Sequence, residues 1–427
     1  MKKALVLSGG GMRGSYQNGA IKALREIGKA DFDIVTGSSI GAMNGFLFVQ
    51  GDFDVMDNLW HTVNQEMVIK GAMSTDFNLE TWFHQRGRIK SFVNNYIKDG
   101  GIDISPFLEL LKKVYNPKKF FDSPIDFGCV TAEFPKYEPV FVTKEMMKED
   151  GYDWLVSTAS PYPAFPVHEF KGKGYVDGFY NDNLPINFAY QLGADEIVAI
   201  DLNMDPVHPN YIDRAGIIYI YPHEQTGHLL SFDREMMNHM EVIGYNDMMK
   251  AFGKYHGIKY TFKNWKKPKY FNRFIRNILM IENRISNNSL IDSLKGYDYI
   301  EDEVAKELKK KDVTDDELFF GILDRLMTMC AFDSEKVYTY QQVRDAICVI
   351  FKDCVDENFE YDPRALDRAK LSDYISSLDG KAIIEKIVHH YFYPQHEIPE
   401  NLIYRFYPFE CGIAELLIQM LEELGAE

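Results

Sequence analysis

"LVLSGGGMRGSYQNGAIKAL", residues 5–24, runs an apolar strand into three glycines, an arginine and a fourth glycine. A helical stripe of Tyr16, Ala20, Leu24 and Ile27 follows at once. Strand, glycine turn and helix in succession open an α/β layer, and the turn aims bare backbone N–H groups at whatever approaches it. Gly9, Gly11 and Gly14 fit G-x-G-x-x-G, which holds a dinucleotide when an acidic residue ends the next strand about 20 residues on. The next strand, "FDIVTGSS", instead ends in Val35, Thr36 and Gly37, with Asp31 and Asp33 at its opposite end. No Lys-Ser or Lys-Thr closes the glycines as in a P-loop. The loop therefore reads as a cradle for some other developing negative charge.

What ends the second strand is "TGSSIGAMNG". Gly37, Ser39 and Gly41 make G-x-S-x-G between a strand and a helix, the setting of a nucleophile elbow. Its serine sits at the positive end of the following helix. Adjacent parallel strands would bring both loops to one edge of the sheet. The N–H groups of Gly10 and Gly11 then form an oxyanion hole for a carbonyl that Ser39 attacks. A serine nucleophile needs a base. In the order Ser…Asp…His the available histidines are His208, His223 and His228. The alternative is a carboxylate acting directly. "KGKGYVDGFYNDNLPINFA" (residues 171–189) sets Asp177 at the end of a short strand, but Asp-Gly recurs at Asp99, Asp150 and Asp379, so the dipeptide alone does not choose.

Taken together, "GGGMRG" (Gly9 to Gly14), "GSSIG" (Gly37 to Gly41) and "DGF" (Asp177 to Phe179) resemble the motifs of the patatin-like phospholipases. That family pairs a GGGxRG loop and a G-x-S-x-G elbow with an Asp-Gly-Gly/Ala motif, and it uses a Ser–Asp dyad without histidine. "STASPYPAFPV" (residues 157–167) and "NLP" (Asn183 to Pro185) resemble the segments on either side of the family's aspartate. The resemblance covers roughly residues 1–250. It implies Ser39 as nucleophile, Asp177 as base, and Gly9, Gly10, Gly11, Met12, Arg13 and Gly14 as the oxyanion loop, with Gly37 and Gly41 shaping the elbow. It implies cleavage of fatty-acyl esters of lipids through an acyl-serine, with no metal and no organic cofactor. Two departures stand out. Phe179 replaces the family's small residue, while the literal "DGG" falls at Asp99 between two helical signals, and Ile40 is bulky enough to narrow an acyl channel. Arg13 is expected to steady the loop, meet a substrate phosphate or pair with a carboxylate. Acyl transfer to another acceptor, a thioesterase or protease with a histidine triad, and a non-catalytic binding module are the competing functions.

The rest of the chain bounds these readings. A net charge of −17 over 427 residues argues against nucleic acid, whose binding rests on phosphate neutralisation. No apolar run approaches the ~18 residues of a membrane span. "MKKALVLSGG" lacks a secretory apolar region, and five cysteines without a C-x-x-C pair predict free thiols in the cytoplasm. Continuous apolar strands such as "EIVAIDL" and "IIYIYP" alternate with helices to about residue 250, predicting an α/β domain with a largely parallel central sheet flanked by helices. Residues 52–120 predict a mainly helical cover. Residues 281–427 predict a helical accessory domain, beginning with the capping-box pair Thr314 and Glu317. Adjacent His389 and His390 cannot face one site on a helix, so no metal is expected there. Between the domains, residues 251–280 predict a linker. Its "KYTFKNWKKPKYFNRFIR" (residues 259–276) has seven Lys or Arg, six aromatics and no acid. Aromatics turned inward on a solvated segment is one expectation, and peripheral contact with an anionic membrane surface is the other.

Overall fold

The computed structural model describes residues 1–70, 102–286, 300–356, 380–394, 403 and 407–426. They divide into two compact units, Met1–Gly253 and Lys254–Glu427. In chain order the first unit contains β1 (Lys3–Leu7), α1 (Ser15–Glu26), β2 (Ile34–Ser38), α2 (Ile40–Gln50), α3 (Phe53–Thr62), α4 (Ser105–Val114) and α5 (Pro117–Asp122). It continues with β3 (Asp126–Phe134), β4 (Glu138–Thr143), α6 (Met147–Thr158), β5 (His168–Phe170), β6 (Lys173–Asp177), α7 (Ile186–Gln191), β7 (Glu196–Ile200), β8 (Ile217–Ile220) and α8 (Arg234–Ala251).

The strands pair along the path β5-β6-β3-β2-β1-β7-β8, with β4 also on β3. Pairs β1–β2, β1–β7, β7–β8 and β2–β3 are parallel, whereas β4 and β6 run antiparallel to β3. This is the mixed, mostly parallel α/β sheet that the strand composition calls for. Ala4 to Leu7, Ile34, Val35 and Ala199 are fully buried, because both faces of a central parallel strand are covered. Helix α2, apolar all round in "GAMNGFLFV", is buried from Gly41 to Gln50 for the same reason.

β3 organises the site. β4 pairs with its residues Gly128–Glu133 and so occupies one edge. The other edge is shared, with β2 on Asp126–Val130 and β6 on Thr131–Phe134. β2 runs parallel to β3 and β6 antiparallel, so their carboxyl ends meet head-on. Ser38 lies opposite Val130 and Asp177 lies opposite Thr131, on consecutive rungs.

The second unit comprises β9 (Thr261–Phe262), α9 (Phe271–Ser286), α10 (Ile300–Glu307), α11 (Asp315–Met329), β10 (Val337–Tyr338), α12 (Tyr340–Ile350), α13 (Gly380–Phe392) and α14 (Pro408–Ala426). Thr314 and Glu317 form the expected capping box at the head of α11, and Thr339 and Gln342 form another at α12. Residues 254–280 are part of this unit rather than a separate linker. Tyr260, Phe262, Tyr270, Phe271 and Phe274 are buried in its core, where Phe271 and Phe274 both meet Phe319 (5.3 and 5.5 Å between ring centres). Six aromatics carry too much apolar surface to leave in water, so they nucleate a core while the cations between them stay at the surface. His389 is buried with Nδ1 against the Cys354 carbonyl (3.1 Å). No helix among the described residues is long and apolar enough to cross a membrane.

Candidate active site

Ser39 follows β2 directly and caps α2 with φ 52° and ψ −126°, a backbone region that non-glycine residues rarely visit. The flanking glycines make this turn possible. A Cβ on Gly37 would stand 2.6 Å from the Gly41 carbonyl carbon, and one on Gly41 would stand 2.2 Å from the Leu7 carbonyl oxygen. Such a strained turn lifts the Ser39 hydroxyl clear of the sheet at the positive end of α2. The freed Ser39 N–H donates to Thr158 Oγ1 (3.1 Å), whose own hydroxyl donates to the Val130 carbonyl (2.5 Å).

Asp177, at the end of β6, is fully buried. Its N–H donates to the Ser160 carbonyl (2.9 Å), and its Oδ1 accepts from the Phe179 N–H (3.0 Å). Burial pushes its pKa up to about 7, although the Ser39 hydroxyl and the Phe179 N–H both pull it down. Oδ2 is buried without a hydrogen bond of ordinary geometry, so the Ser39–Asp177 contact is close but not fully made. Loose catalytic hydrogen bonds of this kind are common before substrate binds. Gly178 packs against β3, where a Cβ would meet the Val130 carbonyl at 2.1 Å.

The glycine loop leaves β1 beside this pair. Gly9 exchanges two hydrogen bonds with Asn183, N–H to carbonyl (3.0 Å) and carbonyl from Nδ2 (3.1 Å). A Cβ on Gly9 would lie 3.1 Å from the Ser39 Cβ, which puts the loop directly against the nucleophile. Met12 N–H donates to Leu229 O and Arg13 N–H to Gly10 O. The amides of Gly10 and Gly11 have no partner among the described residues. Of these two, Gly11 shares the wall of one cavity with Ser39. Gly11 takes φ +56° and presses to within 2.0 Å, at its would-be Cβ, of the Leu229 carbonyl. Arg13 donates to a backbone carbonyl and to a side-chain amide. Nε and Nη2 donate to the Gly227 carbonyl (2.9 and 2.7 Å) and Nη1 to Asn203 (3.3 Å), which ties the loop to the 203–227 region.

An apolar cavity of about 140 Å³ opens from Ser39 and Gly11. Ile40 and Met43 of α2, Trp60 of α3, Leu111 of α4 and Phe165 are among its walls. Trp60 is fixed by its Nε1–H to Asn44 Oδ1 (2.9 Å), and Asn44 in turn donates to the Gly14 carbonyl (3.1 Å). A serine on a strained elbow, a buried carboxylate and an apolar chamber are thus gathered in one place.

Residues 5–190 match the model of the family described as Patatin-like phospholipase. Those residues form a patatin-like phospholipase domain. Among curated relatives the chain is similar to the lysophospholipase nte1 of Aspergillus terreus, 31% identical over 203 residues, and to the lysophospholipase NTE1 of Chaetomium globosum, 31% identical over 208. Each alignment covers 46% of this chain and 12% of the relative, so the chain spans about one eighth of the length of these proteins. Among solved structures it is similar to VipD from Legionella pneumophila, at 15% identity and a TM-score of 0.40, covering 98% of this chain and 91% of that one.

Three of the described histidines of this domain have other neighbours. His208 pairs with Asp182 (3.5 Å), which raises its pKa, and His168 pairs with Asp153 (3.0 Å). His223 packs its ring on Tyr221 (4.5 Å). The side chain and the amide that act on Asp177 belong to Ser39 and Phe179, neither of them a histidine. Asp99 falls outside the described residues. Asp57, His61 and Glu241 gather within 4.8 Å, but the Lys22 ammonium already sits on both carboxylates, so the group is an ion-pair cluster. Sequence reading overlooked Thr158, although it lies inside the 157–167 segment singled out for its small residues and prolines. Its importance depends on the register of β3, which no local pattern encodes.

Proposed function

We propose that the patatin-like domain hydrolyses fatty-acyl esters of phospholipids or lysophospholipids. Ser39 Oγ attacks the ester carbonyl carbon as its proton passes to the Asp177 carboxylate. The resulting oxyanion is held by the Gly10 and Gly11 amides, with the acyl chain in the apolar cavity. Collapse of the tetrahedral species breaks the carbon–oxygen bond to the leaving alcohol, which takes the proton from Asp177. Asp177 then deprotonates a water that attacks the acyl-serine; the bond from the acyl carbon to Ser39 Oγ breaks, Oγ takes the proton back from Asp177, and the fatty acid leaves.

The observation that carries this reading is the pairing of Ser39 with a buried Asp177 whose pKa is raised to about 7. An ordinary carboxylate, near 3.9, is a poor base for a serine hydroxyl, and one near neutrality accepts the proton more readily while still partly ionised. The name lysophospholipase borne by the relatives supports a lipid substrate. The five cysteines are free thiols, which supports a reducing, cytoplasmic setting. In the second unit, Lys263, Lys266, Lys269 and Arg276 are exposed, as are Leu279 and Met280. We propose that this surface touches an anionic lipid interface.

Ser39→Ala tests the reading. Release of fatty acid from lysophosphatidylcholine and covalent labelling by a fluorophosphonate should both disappear, with a fall of ~10⁴-fold or more in kcat. Activity within tenfold of wild type in a folded variant would refute it.

A further inference from the structure

We infer that Thr158 is a positioning residue, setting the separation of Ser39 and Asp177 through a hydroxyl that joins the nucleophile's backbone to β3. The inference rests on the hydrolase reading above. Thr158 is the last residue of α6 and is fully buried. A hydroxyl has one proton to give and lone pairs to receive, and this one uses both functions. It gives its proton to the Val130 carbonyl (2.5 Å) and receives the Ser39 N–H (3.1 Å).

Both contacts fall at the critical rung. Val130 pairs with Ser38, and the next residue, Thr131, pairs with Asp177. The N–H that Thr158 receives belongs to the strained residue, whose turn out of the sheet removes it from the β2 ladder. Two residues later the Ser160 carbonyl receives the Asp177 N–H (2.9 Å), and Ser160 Oγ anchors that point to the Val156 carbonyl (2.8 Å). Residues 158–160 thus hold the backbones of both reacting residues from one rigid helix end. Without the Thr158 hydroxyl, the Ser39 N–H and the Val130 carbonyl are left buried and unpaired, and the elbow relaxes at the residue that must meet Asp177.

A displacement of ~1 Å in a reacting pair costs about 10²-fold in rate. Thr158→Val keeps the shape and removes the hydroxyl. On a soluble short-chain ester its kcat should fall about tenfold to hundredfold with KM within about twofold. Fluorophosphonate labelling should slow by the same factor. Thr158→Ser, which restores both hydrogen bonds, should return kcat to within about threefold of wild type. A role in packing alone would give the opposite order, since Thr158→Ser loses the methyl group and Thr158→Val keeps it. A folded T158V with wild-type kcat, or T158S slower than T158V, would overturn the inference. Should T158V fail to fold, T158C carries the same test, because a thiol keeps the volume and bonds only weakly. Its kcat must then fall below that of T158S at unchanged KM, and wild-type kcat would overturn the inference. If Ser39→Ala is as active as wild type, the hydrolase reading fails instead, whatever Thr158 does.

Discussion

Replacing Asp177 by Asn should abolish activity and stabilise the fold, and the second effect should depend on pH. In the native state burial raises the Asp177 pKa to about 7, whereas in the unfolded chain it returns to the ordinary value of 3.8. Between these values the native protein holds a proton that the unfolded chain has released. Stability therefore falls as pH rises from 3.8 to 7 and stays level above that. Three pKa units correspond to about 4 kcal/mol of lost stability, at 1.36 kcal/mol per unit. Asparagine has no such titration. The stability difference between D177N and wild type should grow by about 2–3 kcal/mol from pH 5 to pH 8, because most of the loss falls between those two values.

Urea unfolding at those two pH values measures this, with limited proteolysis assigning the transition to residues 1–253. Any constant effect of the Asp-to-Asn change on packing or on the Phe179 hydrogen bond cancels in the comparison. A difference that stays constant within ~0.5 kcal/mol between pH 5 and pH 8 would show that burial does not raise the Asp177 pKa. The same variant should lose about 10²- to 10⁴-fold in kcat, the usual contribution of a general base. A stabilised D177N with full activity would remove Asp177 from the mechanism.

Two further outcomes are expected. His168→Ala, His208→Ala, His223→Ala and His228→Ala should each keep kcat/KM within about fivefold of wild type, because general-base loss costs far more; a folded histidine variant as inactive as S39A would replace the dyad by a triad. Changing Lys266, Lys269 and Arg276 together to Gln should weaken sedimentation with phosphatidylserine vesicles by about tenfold to hundredfold, at ~1 kcal/mol per cation near the surface. Hydrolysis of a soluble ester should be unaffected, and undiminished vesicle binding would refute the lipid-facing role.

The parts of this site differ in how far the sequence discloses them. The glycines are legible because their chemistry is local. Gly37, Gly41 and Gly11 stand where a Cβ would strike a backbone atom, and that requirement leaves a fixed pattern around Ser39 and before Arg13. Asp177 is legible only through the family pattern, since nothing local separates it from the other Asp-Gly pairs. Its place comes from a strand pairing that no local window contains. Thr158 is hidden for the same reason, because its hydroxyl matters only once Val130 and Ser39 have been brought to it. The aromatic-basic stretch misleads in the opposite way. Its cations suggest a solvated connector, yet Phe262, Phe271 and Phe274 are core residues whose burial is decided by helices far along the chain.

On the proposed dyad, the antiparallel course of β6 explains how a carboxylate would act without a histidine. In a fully parallel sheet every strand delivers its carboxyl end to the same edge, on rungs separated sideways by ~4.8 Å per strand. An imidazole between serine and aspartate is one way to bridge such a gap. In this domain β2 and β6 share one edge of β3 from opposite directions, so Ser38 and Asp177 fall on consecutive rungs, ~3.3 Å apart along the strand. On that reading the serine and the acid act on each other without an intermediary. Head-on meeting also encloses Asp177 between the strand ends, and that enclosure is what raises its pKa. Proximity and basicity thus have a single structural cause. The ~3 units that make Asp177 a usable base are the same ~3 units that weaken the fold at neutral pH. Any variant that opens the junction to water should lower the pKa, stabilise the protein and slow the reaction together.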